Sequence, residues 1–464
     1  MNDDKKQTSR RGYCKRVNQT QVSRGKTMLI NFFKLVVKTF FRDVTVKGFE
    51  NLSDSGPVIF TPNHPNALLD PLLLFFLPPV YKISFVAKAP LFKIPLLGWI
   101  MQKMHAIPVV RRFEADGKVD YKAFFASCVD SLAAGNSIAI FPEGASLPQP
   151  HMTALKTGAA RLFFMAREKN IDISIMPVGL NYEYGSIFRT SVVIWVAPSL
   201  ETTDLVEKHK EFPQIAVLEL TERIKNTLDE HVFQSESFRD RELMLLLERI
   251  YREEKNSNSW LERFERLKQF EAGLKALKDT CAFEIESLRQ MLARYKKLTS
   301  SLESMHDFPS DNTQGSLKRF LLILTGFPIA GLGWLLNILP YQLCNLIVKH
   351  IKRYDVSQAA THKVAYSLLF FPLAFVLEAM LVHSWLGWGA TVTFAILIIP
   401  ISYFTLFFFE WLNKGGLGIP IPSLKLKTTL SHRILTQLKA QRASINDLVD
   451  DLSTRVDQQS EKLI

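Results

Sequence analysis

Residues 320–348, FLLILTGFPIAGLGWLLNILPYQLCNLIV, contain no charged side chain. Two more apolar runs follow, VAYSLLFFPLAFVLEAMLV (364–382) and WGATVTFAILIIPISYFTLFFFEW (388–411), which carry only Glu378 and Glu410. Runs this long and this poor in charge are read as bilayer segments, because about 20 apolar helical residues cover the hydrocarbon core. A buried helical core is the alternative, and three such runs in succession weigh against it. The chain is therefore expected to carry a membrane-embedded helical region over 317–412, followed by a polar C-terminal tail, 413–464.

The flanking charges suggest how those runs are arranged. Lys349, Lys352, Arg353 and Lys363 lie between the first two runs, and Lys414, Lys425 and Lys427 follow the third. HSWLGW (383–388), between the second and third, has neither Lys nor Arg. By the positive-inside rule, 364–411 is expected to form a hairpin with both ends cytosolic and that turn outside. The first run has basic residues on both flanks and is too short for two crossings. It is expected to be a bent re-entrant or interfacial segment, with Pro328, Gly331, Gly333 and Pro340 as places to break.

The N-terminal half has a different texture. Between about 43 and 235, β-rich runs alternate with amphipathic helical stretches. The β-rich runs are PVIFTP (57–62), ISFVAK (83–88), SIAIFP (137–142), SIMPVGL (174–180) and SVVIWVAP (191–198). Helical patterns fall around 117–134 and 154–169, and 213–233 reads as a closing helix. Such alternation predicts an α/β domain with a central sheet over 43–235. Residues 236–307 follow, rich in Glu, Arg, Lys and Leu at helical spacing, and read as a helical pair or a short coiled-coil-like insert with solvated charges. FPSDNTQGS (308–316) is a linker.

The chain carries a net charge of +12, which makes nucleic acid and anionic membrane the two usual partners. Its distribution favours lipid. A basic N-terminus precedes MLINFFKLVVKTFF (28–41), so 1–42 reads as a basic arm and an interfacial amphipathic helix, or a helix packed on the domain behind it. No RNP, C₂H₂ or aromatic-interleaved basic motif occurs, so no nucleic-acid partner is expected. Cys14, Cys128, Cys281 and Cys344 lack CxxC spacing and suggest neither a disulfide framework nor a metal site.

A chemical signature begins with TPNHPNALLDP (61–71), which places His64 and Asp70 just after an apolar run. Alone it could be a helix start, with Asn63 as N-cap and Asp70 on the surface. It could equally be a general base with its orienting carboxylate. No GxxxxGK[ST] is present, and GASLP (144–148) only approaches GxSxG. What is present is a fixed order of blocks: NHPNALLDP, then FVAKAPLFKIPLLGWIMQKMHAIPVVRR (85–112), then FPEGASLPQPHMTALKTGAARL (141–162), then IMPVGLNYE (175–183).

In these blocks the chain resembles the glycerolipid acyltransferase superfamily, the glycerol-3-phosphate and 1-acylglycerol-3-phosphate acyltransferases. By that resemblance His64 matches the catalytic histidine and Asp70 its aspartate. Arg111 matches the arginine closing the second block, Glu143 and Gly144 the acceptor-binding pair of the third, and Pro177 the proline of the fourth. Two departures stand out. Five residues separate His64 from Asp70, where the family's usual spacing is HxxxxD and some branches carry the longer form. His105 stands where the second block often has glycine.

The residue types suit acyl transfer from a thioester to an alcohol. A base must take the hydroxyl proton, and a carboxylate on the imidazole's other nitrogen fixes the tautomer. No protein nucleophile is needed if both substrates bind together. Arg111 can grip a phosphate with its guanidinium fork; Lys156 is the next cation, ahead of Arg112 and Arg161. Glu143 would hydrogen-bond an acceptor hydroxyl or pair with an arginine. FVAKAPLFKIP suits the acyl-chain or membrane side of a cleft, with Lys88 and Lys93 near headgroups.

The resemblance thus implies a membrane-bound O-acyltransferase of phospholipid biosynthesis. It would use acyl-CoA or acyl carrier protein as co-substrate, glycerol 3-phosphate as acceptor and no cofactor, with the catalytic domain facing the cytosol. The alternatives are a 1-acyl-sn-glycerol-3-phosphate acyltransferase, then an enzyme for dihydroxyacetone phosphate or a non-glycerolipid acceptor, and, from another class, a non-catalytic membrane scaffold.

Overall fold

The computed structural model describes residues 24–52, 56–78, 82–110, 121–147, 149–255, 259–278, 280–303, 317–350, 356–414 and 428–461. They divide into two units between Gln234 and Ser235, with the short stretch up to Ala360 counted with the first.

The first unit is built on a mixed sheet of β1 (Asp43–Lys47), β2 (Val58–Pro62), β3 (Ser84–Lys88), β4 (Ile107–Val109), β5 (Ile138–Ala139), β6 (Ser174–Tyr182) and β7 (Ser191–Val196). The spatial order is β1-β7-β6-β2-β5-β3-β4. Neighbours are parallel except β6 and β7, which are antiparallel. Every residue of β2 is buried, as expected of a strand covered on both faces by helices. Leu132, Leu162, Phe163 and Leu220, from the helices Tyr121–Ala133, Gly158–Glu168 and Pro213–His231, share a core with Ile59, Ile138 and Ile175 of the strands.

All five β-rich runs are strands. The sequence reading missed β1, a short alternating edge strand, and β4, whose three residues leave no room for a period to show. The closing helix begins at Pro213, with Pro at its first turn, and a separate helix, Thr203–Glu211, precedes it.

The helix Arg24–Phe40 packs through one face. Val37 and Phe40 are buried, Phe33 stacks on Phe75 at 6.1 Å, and Arg189 donates to the carbonyls of Lys38 and Thr39 at its C-terminal end. Met28, Phe32 and Leu35 on the same helix are exposed. The two readings of this helix therefore describe two faces of one element. Residues 1–23, the basic arm, lie outside the described residues.

The second unit is helical. Phe238–Lys255, Trp260–Leu277 and Ala282–Glu303 occupy the charged region. The 413–464 region, expected to be a polar tail, contains a long helix instead, Thr428–Glu461. It packs into one apolar core with the other three, through Leu243, Leu247, Ile250, Leu277, Ile285, Leu288, Leu292, Ile445 and Leu452. Its stripe of Ile445, Leu448, Val449 and Leu452 has helical spacing, but the surrounding charges mask it to a reading by composition. A buried carboxylate, Glu248, accepts from Arg263 Nε at 2.8 Å and Arg266 Nη2 at 2.9 Å.

Ile445 is fully buried in that core. Ile445→Ala should cost about 2–5 kcal/mol of bundle stability, the range for an unfilled aliphatic cavity. The check is proteolytic release of the C-terminal helix, which should be faster in the variant; an unchanged rate would mean that this core does not hold the helix.

Two helices are long and apolar enough to cross a membrane by length and composition, Leu321–His350 and Gln358–Leu412. The first corrects an expectation: Leu317–His350 runs unbroken through Pro328, Gly331, Gly333 and Pro340. A proline interrupts one hydrogen bond of the ladder, and the apolar environment of neighbouring turns holds the rest in place. The one break in Val356–Lys414 is at Gly387, with φ 76° and ψ −175°, inside the expected HSWLGW turn. Gly387 has no side chain to strain in that conformation.

Candidate active site

β2, β5 and β6 point their C-terminal ends the same way, and the loops leaving them converge there. In open α/β sheets, this edge is where ligands bind. β2 ends at Pro62 and delivers Asn63 and His64. β5 leads into Phe141, Pro142 and Glu143. β6 runs on past its pairing with β2, since Val178 is level with Pro62, and so carries Tyr182 to the same place.

His64 Nδ1 lies 2.8 Å from Asp70 Oδ2. Asp70, fully buried in the short helix Leu69–Leu73, also accepts from the Asn66 backbone N–H at 2.7 Å through Oδ2 and from the Tyr182 hydroxyl at 2.5 Å through Oδ1. Burial first, and the Asp70 charge next, push the Tyr182 hydroxyl well above its ordinary pKa. It therefore stays protonated and donates. A carboxylate that accepts from Nδ1 selects the imidazole tautomer with its proton on Nδ1, which leaves Nε2 as the nitrogen that can accept a proton. Among the described residues, Nε2 makes no hydrogen bond. The imidazole stacks on Phe141, with centroids 4.2 Å apart.

Asn63 does not cap a helix. Its amide makes two hydrogen bonds to the Leu180 backbone, accepting at 2.6 Å and donating at 3.2 Å. This ties the start of the His64 loop to β6. Ala67, at a left-handed φ of 43°, donates its N–H to Ser146 Oγ at 2.9 Å, so the serine of GASLP supports the loop.

Glu143 is buried, and both carboxylate oxygens are engaged. Oε1 accepts from the His64 backbone N–H at 2.6 Å; Oε2 accepts from Thr153 N–H at 3.0 Å and Thr153 Oγ1 at 2.9 Å. Its partners are thus neither an arginine nor an open acceptor site, but the backbone of the histidine itself. Gly144 follows with φ +69°, and a Cβ there would lie 2.6 Å from Lys156 Nζ. The Lys156 side chain therefore lies across Gly144, and it is exposed at the same edge. His105 takes a left-handed φ of 54°, the conformation a glycine holds without strain, which accounts for the glycine often found at that place.

The structure brings His64, Asp70, Glu143, Gly144 and Lys156 together. Arg111 and Arg112 lie outside the described residues. Arg161 sits on the helix Gly158–Glu168, and Pro177 lies in β6 level with Thr61. Tyr182, Asn66, Thr153 and Phe141 were not singled out by sequence reasoning, and Asn63 was read only as a helix cap. All five lie in or beside the quoted blocks, but their partners depend on strand order.

A histidine–carboxylate pair with an open imidazole nitrogen, at the C-terminal edge of an α/β sheet, is an arrangement that can act as a general base. Residues 43–181 match the family model described as Acyltransferase. A chloroplastic 1-acyl-sn-glycerol-3-phosphate acyltransferase of Arabidopsis thaliana is 29% identical over 147 residues, 32% of this chain and 39% of that protein. Glycerol-3-phosphate O-acyltransferase 2 of Saccharomyces cerevisiae is 29% identical over 119 residues, 25% of this chain and 16% of that protein. The crystal structure of the 1-acyl-sn-glycerophosphate acyltransferase PlsC from Thermotoga maritima aligns with 45% of this chain and 83% of that one, at 17% identity and a TM-score of 0.33. This chain spans about two fifths of the length of the chloroplast relatives. The domain at 43–181 belongs to the glycerolipid acyltransferase superfamily.

Proposed function

We propose that the chain is a membrane-bound O-acyltransferase that moves a fatty acyl group from acyl-CoA or acyl carrier protein to the hydroxyl of glycerol 3-phosphate. The carrying observation is the His64 Nδ1–Asp70 contact of 2.8 Å, which leaves Nε2 as a base at the strand edge. Nε2 takes the acceptor's hydroxyl proton as that oxygen attacks the thioester carbonyl carbon. The C–S bond then breaks, the imidazolium returns the proton to the departing sulfur, and an ester and a thiol result. Asp70 holds the ring and stabilises the imidazolium; Tyr182 and the Asn66 N–H hold Asp70.

Lys156 and Arg111 supply cations for the acceptor phosphate. Arg111→Ala should raise the KM for the phosphorylated acceptor more than that for the acyl donor. Kinetics varied in each substrate separately measure this, and an effect confined to the donor would reassign the residue.

The longer His–Asp spacing and LKTGAARL favour glycerol 3-phosphate. A 1-acylglycerol 3-phosphate acceptor is the second reading, supported by the larger share of the chloroplast relatives that this chain covers. The intact dyad weighs against a scaffold without catalysis. The apolar helices Leu321–His350 and Gln358–Leu412 support residence in the membrane, and the basic flanks support a cytosolic catalytic domain. A lipid-extract assay supplying labelled acyl-CoA with each acceptor in turn tests the assignment. Acylation of neither glycerol 3-phosphate nor its 1-acyl derivative would overturn it.

A further inference from the structure

The helical unit constrains how the apolar helices can sit in a bilayer. Ala282–Glu303 precedes the apolar region and Thr428–Glu461 follows it, yet the two share one core through Ile285, Leu288, Leu292, Ile445 and Leu452. Polar contacts add to the seam. Arg455 Nη1 donates to Glu284 Oε1 at 3.0 Å, and Arg442 Nη2 donates to the Ile250 carbonyl at 2.7 Å. Separating these helices would return a row of buried aliphatic side chains to water, which the hydrophobic effect strongly opposes. A bilayer cannot pass between two helices packed in this way.

The apolar region between them has three helical pieces: 317–350, 356–386 and, beyond the Gly387 break, 388–414. The sequences joining them to each other and to the bundle, 304–316, 351–355 and 415–427, are each too short to cross. Three crossings would put the two bundle segments on opposite faces. The packing within the apolar region agrees. Asn337 Nδ2 donates to Ser402 Oγ at 2.8 Å, and Thr405 Oγ1 donates to the Ala330 carbonyl at 3.3 Å. Gly333 and Gly326 leave room for Thr405 and Phe408. Rising numbers on one helix meet falling numbers on the other, so these two pieces run in opposite directions, joined by small residues and polar pairs as membrane helices are.

We propose that the bundle is a clasp that holds both ends of the apolar region at one face of the lipid bilayer, so that 317–414 crosses it an even number of times. The proposal rests on the membrane reading above, and two measurements separate their failures. Gln290 and Ser444 are exposed, one on each bundle segment; Cys128, Cys281 and Cys344 are buried. With Cys14 changed to serine, Gln290→Cys and Ser444→Cys are each reacted with a membrane-impermeant maleimide in sealed cells, before and after permeabilisation. The expected result is the same accessibility for both thiols, in protein that stays in the membrane through an alkaline carbonate wash. Retained protein with one thiol open and the other protected would overturn the clasp alone. Release by carbonate would overturn the membrane reading and the clasp with it.

Discussion

His64→Ala is expected to lose a factor of about 10²–10⁴ in turnover, and Asp70→Asn a comparable factor, with the domain still folded. The histidine loss removes the imidazole whose open nitrogen is placed at the strand edge to take a proton. The Asp70 change is subtler. Its carboxylate accepts from His64 Nδ1, the Asn66 N–H and the Tyr182 hydroxyl, and an amide cannot accept on its nitrogen. That NH₂ would face one of the donors, turning the imidazole towards the tautomer that carries its proton on Nε2. Steady-state kinetics on purified protein measure both, with circular dichroism as the control for folding. Near-normal turnover by a folded His64→Ala enzyme would sink the mechanism.

Glu143→Ala should lower kcat by about 10² while leaving the acceptor KM within a few-fold. Its carboxylate binds the His64 backbone N–H and Thr153, so its removal frees the loop that aims the imidazole. Misplacement by about 1 Å costs around 10² in rate. Glu143→Gln keeps one accepting oxygen and should restore part of the loss. A rise in acceptor KM with kcat preserved would instead mean that Glu143 touches the acceptor, as the family resemblance implies.

The α/β alternation, the order of the four blocks and the apolar runs were legible in the sequence because each is a local pattern. A buried strand shows as a short apolar run and a membrane helix as a long one, and Gly387 falls inside the only turn that the charge pattern left between two runs. His64 and Asp70 were also legible, being only six positions apart on one loop.

What the sequence by itself determined, then, is the five apolar strands, the main amphipathic helices, the histidine and aspartate that pair, and which stretches are too apolar for water. Tertiary structure decided what those residues touch. The His64 N–H meets Glu143 across 79 positions and Tyr182 meets Asp70 across 112, because β2, β5 and β6 are neighbours in the sheet with one register. The polar C-terminal stretch became the fourth helix of a bundle because its sparse aliphatic stripe, at Ile445 and Leu452, found a complementary core between Leu243 and Leu292, far upstream in the chain. Pairings at such distances follow from strand order and packing, which no window of sequence contains; a local pattern specifies a face, and only the folded chain supplies what covers it.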